Sequence, residues 1–83
     1  MRIVWDEPKR LANIDKHGFD LAEVTAEFVD AATFFPAKLG RIAAVGVFRR
    51  RLMIAIIEPL GTEAVAVISF RPASPKERRQ YWS

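Results

Sequence analysis

One run of residues constrains the fold of this chain more than any other feature. Leu52 to Glu58 is apolar at every position but the last. An apolar run of this length, without glycine or proline inside it, is typical of a central β-strand that is covered on both faces. A chain of 83 residues is near the lower limit at which a hydrophobic core alone stabilises a fold. We therefore expect a single domain, residues 1–83, built around this strand.

The segments that flank this strand predict an antiparallel sheet. Residues 41–48 and 63–70 are rich in aliphatic and β-branched side chains, and short turns connect each of them to the central run. Three strands joined in this order form an antiparallel meander. Residues 33–35 are β-prone and can add a fourth strand, and residues 2–5 can form a short edge strand.

Capping signals predict three helices. Asp6, with Pro8 in the first turn, and Gly18 mark the two ends of the first helix. The spacing of Asp20–Glu23 is that of a capping box and predicts a second helix from residue 20. Ser74–Glu77 is a capping box with proline at the first helical position and predicts the third. The predicted fold class is α+β: two N-terminal helices, a three- to four-stranded antiparallel meander sheet and a C-terminal helix.

The charge of the chain is distributed unevenly, although the net charge is only +3. Residues 1–30 contain seven acidic and four basic side chains, a net of −3. Residues 31–83 contain three acidic and nine basic ones, a net of +6. A basic half is expected of a nucleic-acid-binding protein, and a solvated basic surface accounts for it equally well. Charge alone does not distinguish RNA from DNA.

Composition excludes several other classes of protein. The chain has no cysteine and one histidine, which argues against disulfides and a structural zinc site, and no cofactor is expected. No stretch approaches the roughly 20 apolar residues that span a bilayer. The N-terminal residues 1–6 lack the basic and apolar regions of a signal peptide. We therefore expect a cytoplasmic protein with no membrane partner.

Two motifs stand near the two ends of the chain. They are Trp5-Asp6-x-x-Lys9-x-x-x-Asn13-x-x-Lys16-His17-Gly18 and Ile68-Ser69-Phe70-Arg71-Pro72-Ala73, the latter followed by Glu77-Arg78 and Tyr81. In this order and at this separation they resemble the BrnT family of type II toxins, over nearly the whole chain. The resemblance implies a RelE-like fold and cleavage of RNA that blocks translation. It also implies neutralisation by a BrnA-like antitoxin in a hetero-oligomer that contacts DNA only through the antitoxin.

Cleavage of RNA without a metal needs a base for the attacking 2′-hydroxyl, cations for the phosphorane and an acid for the departing 5′-oxygen. Histidine suits acid or base chemistry near neutral pH, and arginine binds phosphate with two parallel hydrogen bonds. For a metal-independent endoribonuclease, the candidate catalytic residues are Lys16, His17, Arg71 and Arg78. The candidate RNA-binding residues are Arg41, Arg49, Arg51 and Lys76.

Ordinary structural roles account for the same side chains. His17, just before a helix-ending glycine, can bind the last carbonyls of the helix, and Lys16 can be a solvated surface residue. The arginines at 49–51 can form a solubilising hairpin turn, and Arg41 can simply begin a strand. Glu58 is either a general base or, more simply, a surface acid beside a turn.

The aromatic residues fall into two groups. Trp5 and Phe34–Phe35 are expected in the core rather than as platforms on which bases stack. Tyr81 and Trp82 either clamp the last helix to the sheet or lie on a surface that meets a partner.

The chain departs from the BrnT pattern at two positions. Members of the family commonly carry acidic residues just before the arginine that starts the first meander strand, where this chain has Leu39–Gly40 before Arg41. They also commonly carry a basic residue where this chain has Ala66. A missing charge would weaken catalysis without changing the fold. The main hypothesis is therefore an active ribonuclease toxin. The alternatives are a catalytically weakened BrnT-like module that represses its operon with its antitoxin, and a nucleic-acid-binding domain with no antitoxin.

Overall fold

A computed structural model describes residues 1–82, which form five strands and three helices. The sheet has the strand order β1-β5-β4-β3-β2. Two short 3₁₀ turns, at Leu21–Glu23 and Lys38–Gly40, lie between these elements. In chain order the elements are β1 (Arg2–Val4), α1 (Glu7–His17), α2 (Ala26–Ala31), β2 (Thr33–Pro36), β3 (Ile42–Phe48), β4 (Arg51–Leu60), β5 (Ala64–Pro72) and α3 (Pro75–Tyr81).

The α+β class and the antiparallel meander β3-β4-β5 are confirmed, but the predicted three- to four-stranded antiparallel sheet is wrong in detail. The sheet has five strands and is mixed, because β1 pairs in parallel with β5, with Arg2 opposite Ala64 and Val4 opposite Ala66. The parallel pairing joins segments about sixty positions apart, and nothing in three residues of β1 specifies so distant a partner.

The first helix begins and ends where its capping residues predict, and the last helix begins where its capping box predicts. Asp6 accepts a hydrogen bond from the backbone N–H of Lys9 at 3.0 Å, and Gly18 ends α1 with a left-handed φ of 77°. Ser74 and Glu77 form the reciprocal capping box of α3. Within residues 1–82, no helix is long and apolar enough to cross a membrane.

The second helix begins later than predicted. The capping box of Asp20 and Glu23 is present, but it closes only the 3₁₀ turn at Leu21–Glu23. Val24 is extended, and α2 begins after Thr25, whose hydroxyl accepts a hydrogen bond from the N–H of Phe28 at 3.1 Å. A capping box specifies the start of a helical turn, not the length of the helix that follows.

The central strand packs against a core cluster on each face, as the apolar run predicts, but the cover is complete on only one of them. On one face Met53, Ala55 and Ile57 join the larger core cluster beneath the helical layer. On the other face Leu52 and Ile54 join a smaller cluster beside α3. The larger cluster contains Leu21, Val24, Phe28, Val29, Ala44, Met53, Ala55, Ile57, Val65, Val67 and Phe70. Because α3 has only seven residues, the second face is covered only in part, and a groove is left there.

Two of the aromatic residues expected in the core are exposed. Phe34 is 52% exposed and Trp5 is 37% exposed, so the prediction that they lie in the core is wrong. Phe34 lies on the outermost strand β2, where only one side of the strand has a packing partner. That side carries Phe35, whose ring lies 4.4 Å from the ring of Tyr81. Tyr81 therefore clamps α3 to the sheet, whereas Trp82 is 54% exposed.

Helix α1 is attached to the sheet through the side chain of Asn13, which is only 5% exposed. Its Oδ1 accepts a hydrogen bond from the N–H of Phe70 at 3.1 Å, and its Nδ2 donates to the carbonyl of Phe70 at 2.8 Å. The same Nδ2 donates to the carbonyl of Phe19 at 2.8 Å. Strand β1 pairs only with the first part of β5. Farther along β5, at Phe70, the side-chain amide of Asn13 therefore binds the backbone groups that a neighbouring strand would otherwise bind.

Replacing Asn13 with alanine is expected to lower the free energy of unfolding by about 3 kcal/mol, because two buried main-chain groups and one partly buried one are left without a partner at once. The change is measured by urea denaturation followed by circular dichroism. Leu11→Ala, at an exposed position on the same helix, is the matched control and should change stability by less than about 1 kcal/mol. Equal losses in the two variants would contradict a specific role for the amide.

Candidate RNA-cleavage site

The C-terminal end of α1 lies over β5 and places two basic side chains there. Lys9, Asn13, Lys16 and His17 are spaced three or four positions apart, so they share one face of the helix. Asn13 fixes this face against β5. A pocket of about 260 Å³ lies beside it, lined by Lys9, Ala12, Asn13, Lys16, His17, Arg41, Ile68 and Ser69.

A wider pocket of about 540 Å³ adjoins the first on the partly covered face of the sheet. Arg41 lines both pockets, and Arg71, Glu77 and Tyr81 line the wider one, together with apolar residues of β3 and β4. We call the joined pockets the cationic cleft and define it by Lys16, His17, Arg41 and Arg71. The cleft thus brings together three candidates from the N-terminal and C-terminal motifs and one from the start of β3.

The surroundings of His17 favour its neutral form. Partial burial lowers the pKa of the imidazole below the ordinary 6.5, and the nearby positive charges of Lys16 and Arg71 lower it further. A neutral imidazole can accept a proton, which is what a general base does. The same positive charges suit a site that receives the negative charge of a phosphate.

Arg71 is positioned by a carboxylate. Its Nη1 and Nη2 donate to the two oxygens of Glu77 at 2.7 and 3.0 Å, in the bidentate geometry of an arginine–carboxylate pair. Oε1 of Glu77 also accepts a hydrogen bond from the N–H of Ser74 at 2.9 Å. One carboxylate therefore both begins α3 and fixes the guanidinium of the cleft.

The pairing with Arg71 lowers the carboxyl pKa of Glu77, and this shift predicts how the free energy of unfolding depends on pH. The hydrogen bond from Arg71 lowers the pKa of Glu77 from 4.5 to about 2. Because the folded chain binds this proton more weakly than the unfolded chain, the contribution of the pair is fully present above pH 4.5. We expect it to be lost as the pH falls toward 2, and Glu77→Gln should remove this part of the pH dependence.

Urea denaturation of the two proteins over this pH range measures the effect. Glu63→Gln is the matched control, since Glu63 is an exposed carboxylate in a turn. The difference in stability between the parent and Glu77→Gln should shrink as the pH falls, whereas the difference for Glu63→Gln should change much less. A constant difference for Glu77→Gln would show that the pair does not contribute.

Arg41 has a weaker carboxylate partner. Its Nε lies 3.4 Å from Oε1 of Glu58, and both side chains are partly exposed. Glu58 lies within β4 and is paired across the sheet with Ala66, one of the two positions that depart from the family pattern. Gly40, the other, ends the 3₁₀ turn just before Arg41. Both departures therefore lie beside the Arg41–Glu58 pair.

The remaining sequence candidates lie outside the cationic cleft. Arg49 is in the β3–β4 turn and pairs with Glu23 at 2.9 Å, and the guanidinium of Arg51 lies over the ring of Phe19. Arg78 lines a different pocket on another side of α3, and Lys76 is exposed on that helix. Arg71 and Arg78, which the sequence placed together as phosphate ligands, thus point to different sites.

Several residues that build the cleft were not predicted from the sequence to belong to it. Asn13 positions α1, Glu77 positions Arg71, and Ser69 and Tyr81 line the walls. The spacing of Asn13, Lys16 and His17 on one helical face was a usable signal for the first of these. No group of three or more side chains that could hold a metal ion occurs within residues 1–82.

The fold and the cleft together define a class of protein: a small α+β domain whose one histidine lines a groove together with lysine and arginine side chains. Comparisons with known proteins name the class. A family described as "Ribonuclease toxin, BrnT, of type II toxin-antitoxin system" matches residues 5–77. The chain belongs to this family of ribonuclease toxins.

A solved structure agrees. The chain is similar to the crystal structure of the Brucella abortus ribonuclease toxin, BrnT, with a TM-score of 0.82 and 48% sequence identity. The similarity covers 89% of this chain and 97% of the Brucella chain. A comparison with curated proteins gives no significant match.

Proposed function

We propose that this ribonuclease toxin cleaves single-stranded RNA in the cationic cleft by attack of a 2′-hydroxyl on the adjacent phosphate, without a metal ion. The observation that supports this most strongly is the position of His17, which lines one pocket together with Lys16 and Arg41. Membership of the family supplies the reaction class, and the cleft supplies side chains for its separate steps.

His17 is the proposed general base. Its neutral imidazole takes the proton from the 2′-hydroxyl, and the resulting oxygen attacks phosphorus. Arg71 and Arg41 bind the non-bridging oxygens, and Lys16 offsets the charge that collects on the departing 5′-oxygen. Water in the open cleft supplies the proton for that oxygen, and the hydroxide left behind is neutralised by the proton that His17 releases.

The proposed reaction needs no other reactant. The new bond joins the 2′-oxygen to phosphorus, and the bond from phosphorus to the 5′-oxygen breaks. The products are a 2′,3′-cyclic phosphate on one fragment and a 5′-hydroxyl on the other. Ser69 lines the site where the phosphate would lie, and its hydroxyl can donate a further hydrogen bond.

We also propose that a BrnA-like antitoxin silences the protein by covering the cationic cleft. The family is defined by toxin–antitoxin systems, and the arginines of the cleft suit an acidic segment as well as they suit RNA. In this proposal the antitoxin carries any contact with DNA. The protein acts in the cytoplasm, because the RNA whose cleavage blocks translation is found there.

A cleavage assay tests the chemistry directly. The purified protein is incubated with RNA in the presence of a chelator, and the fragment ends are determined by mass spectrometry. We expect cleavage in the chelator with 2′,3′-cyclic phosphate and 5′-hydroxyl ends. Cleavage that requires added metal, or that leaves 5′-phosphate ends, would overturn the proposed mechanism.

A specific observation supports a second function. Each arginine of the cleft already faces a carboxylate, Arg71 with Glu77 and Arg41 with Glu58, and Gly40 and Ala66 lie beside the second pair. A substrate phosphate must compete with these carboxylates, so the protein can be a weakened enzyme that acts with its antitoxin in operon repression. Expression without the antitoxin decides between them: growth arrest supports the ribonuclease, and undisturbed growth supports the repressor module.

A further inference from the structure

A second cationic pocket lies on another side of α3 from the cationic cleft. It has a volume of about 220 Å³ and is formed by the β3–β4 turn, the end of β5 and α3. We call it the arginine pocket and define it by Arg50, Arg51, Arg78 and Trp82.

The guanidinium groups of Arg50 and Arg78 are available to an anion. Among the residues that the structure describes, neither forms an ion pair with a carboxylate, and none of the residues that line the pocket is acidic. By contrast, Arg10, Arg41, Arg49 and Arg71 each pair with a carboxylate. Nη1 of Arg78 lies 3.4 Å from the carbonyl of Ala73, which directs the side chain toward the end of β5.

The backbone that presents Arg50 is strained. Arg49 and Arg50 have φ values of 51° and 65°, the left-handed pair that a tight hairpin turn requires and that asparagine and glycine adopt more readily. Arg49 anchors the turn through its ion pair with Glu23 and its position over the ring of Phe48. Strain of this kind is concentrated at functional sites, so it agrees with a binding role for the next residue, Arg50.

An aromatic ring completes the pocket. Trp82 is 54% exposed, and its backbone N–H donates to the carbonyl of Arg78 at 2.9 Å, so it directly follows the last turn of α3 as its C-cap. Proteins that bind single-stranded nucleic acid combine arginines for the phosphates with aromatic rings on which bases stack. Both kinds of side chain occur together here.

We propose that the arginine pocket is an accessory subsite for the RNA that extends beyond the cleaved bond: Arg50 and Arg78 bind a phosphate, and a base stacks on Trp82. The residue pairs Glu77–Arg78 and Tyr81–Trp82 each place one member in the cationic cleft and the next in the arginine pocket. A strand that leaves the cleft therefore passes around one helix, about 10 Å across, to reach the pocket. The proposal rests on the proposed RNA substrate.

Binding of uncleavable RNA tests the subsite. The probes are a fluorescent single-stranded RNA of about 12 nucleotides and a trinucleotide, both carrying 2′-O-methyl groups. Arg50→Asn/Arg78→Gln should weaken binding of the longer RNA about 10-fold, with a smaller effect on the trinucleotide. The slope of log Kd against log salt concentration should fall by about 0.7 for each phosphate that the variant no longer binds. Trp82→Ala should weaken binding of the longer RNA about 5-fold or more.

Arg2→Gln/Arg79→Gln is the matched control, because it removes the same charge outside both sites. Equal weakening by the control, or no weakening by the pocket variants, would overturn the subsite. Weaker binding of the antitoxin with unchanged binding of RNA would also overturn it and make the pocket a protein interface. Cleavage of unmethylated RNA is measured separately: pocket-dependent binding without cleavage would overturn the proposed reaction and leave the subsite standing.

Discussion

Replacing His17 with glutamine is expected to lower the rate of RNA cleavage about 10²-fold or more. Glutamine keeps a polar side chain at the end of α1 but cannot accept and release a proton near neutral pH. The rate is measured under single-turnover conditions with saturating protein. Asp15→Asn, an exposed neighbour on the same helix, is the control and should keep the parent rate.

The pH profile separates a general base from a structural histidine. The parent rate should fall as the pH drops below the pKa of His17, which lies under 6.5 because of burial and the charges of Lys16 and Arg71. The glutamine variant should lack this part of the profile. An undiminished rate in the variant would show that His17 is not the general base. A loss of helix content that matches the loss of rate would show that His17 acts only as a helix cap.

Replacing Arg71 with alanine is expected to lower cleavage about 10²-fold or more and to abolish growth arrest, because the phosphorane loses its bidentate cation. Arg71 is also one of the charges that lower the pKa of His17. Without this charge the pKa of His17 should rise, so the acid limb of the pH profile should move to higher pH. A general loss of folding would not produce this change.

Glu77→Gln is the matched variant for this prediction. It removes the ion pair but leaves the guanidinium in the cleft, and glutamine can still accept the capping hydrogen bond of α3. If the cation itself matters, the rate should fall much further in Arg71→Ala than in Glu77→Gln. Equal losses of rate in the two variants would show that the broken Arg71–Glu77 pair, not the missing cation, causes the effect. Full toxicity of Arg71→Ala at equal soluble expression would show that Arg71 does not belong to the site.

Local signals in the sequence predicted the elements that local contacts determine. Asp6 and Gly18 bound α1, and Ser74 begins α3, because each cap acts within one turn of its helix. The apolar run after Arg51 predicted a strand that packs on both faces, because successive side chains of a strand point to opposite faces and those of the run are all apolar. The start of α2 was predicted at residue 20 from the capping box there, but Thr25 is the residue that caps this helix.

Contacts between distant segments could not be predicted in the same way. The parallel pairing of β1 with β5 and the attachment of Asn13 to Phe70 both use backbone groups, which every residue possesses. The cleft is likewise built by contacts between segments that are distant in the sequence. Chemistry and the family motif singled out Lys16, His17 and Arg71, whereas the carboxylate that positions Arg71 becomes visible only when β5 and α3 are folded.

The attachment of α1 through Asn13 bears on how this protein can vary and be redesigned. The amide binds the peptide groups of Phe70 and Phe19, which stay the same whatever side chains those positions carry. The exposed positions of the helix, such as Leu11 and Ile14, can therefore diverge while the helix keeps its register. A designer could exchange most of that surface, for example to alter solubility, and α1 would still be attached to β5 at the same place.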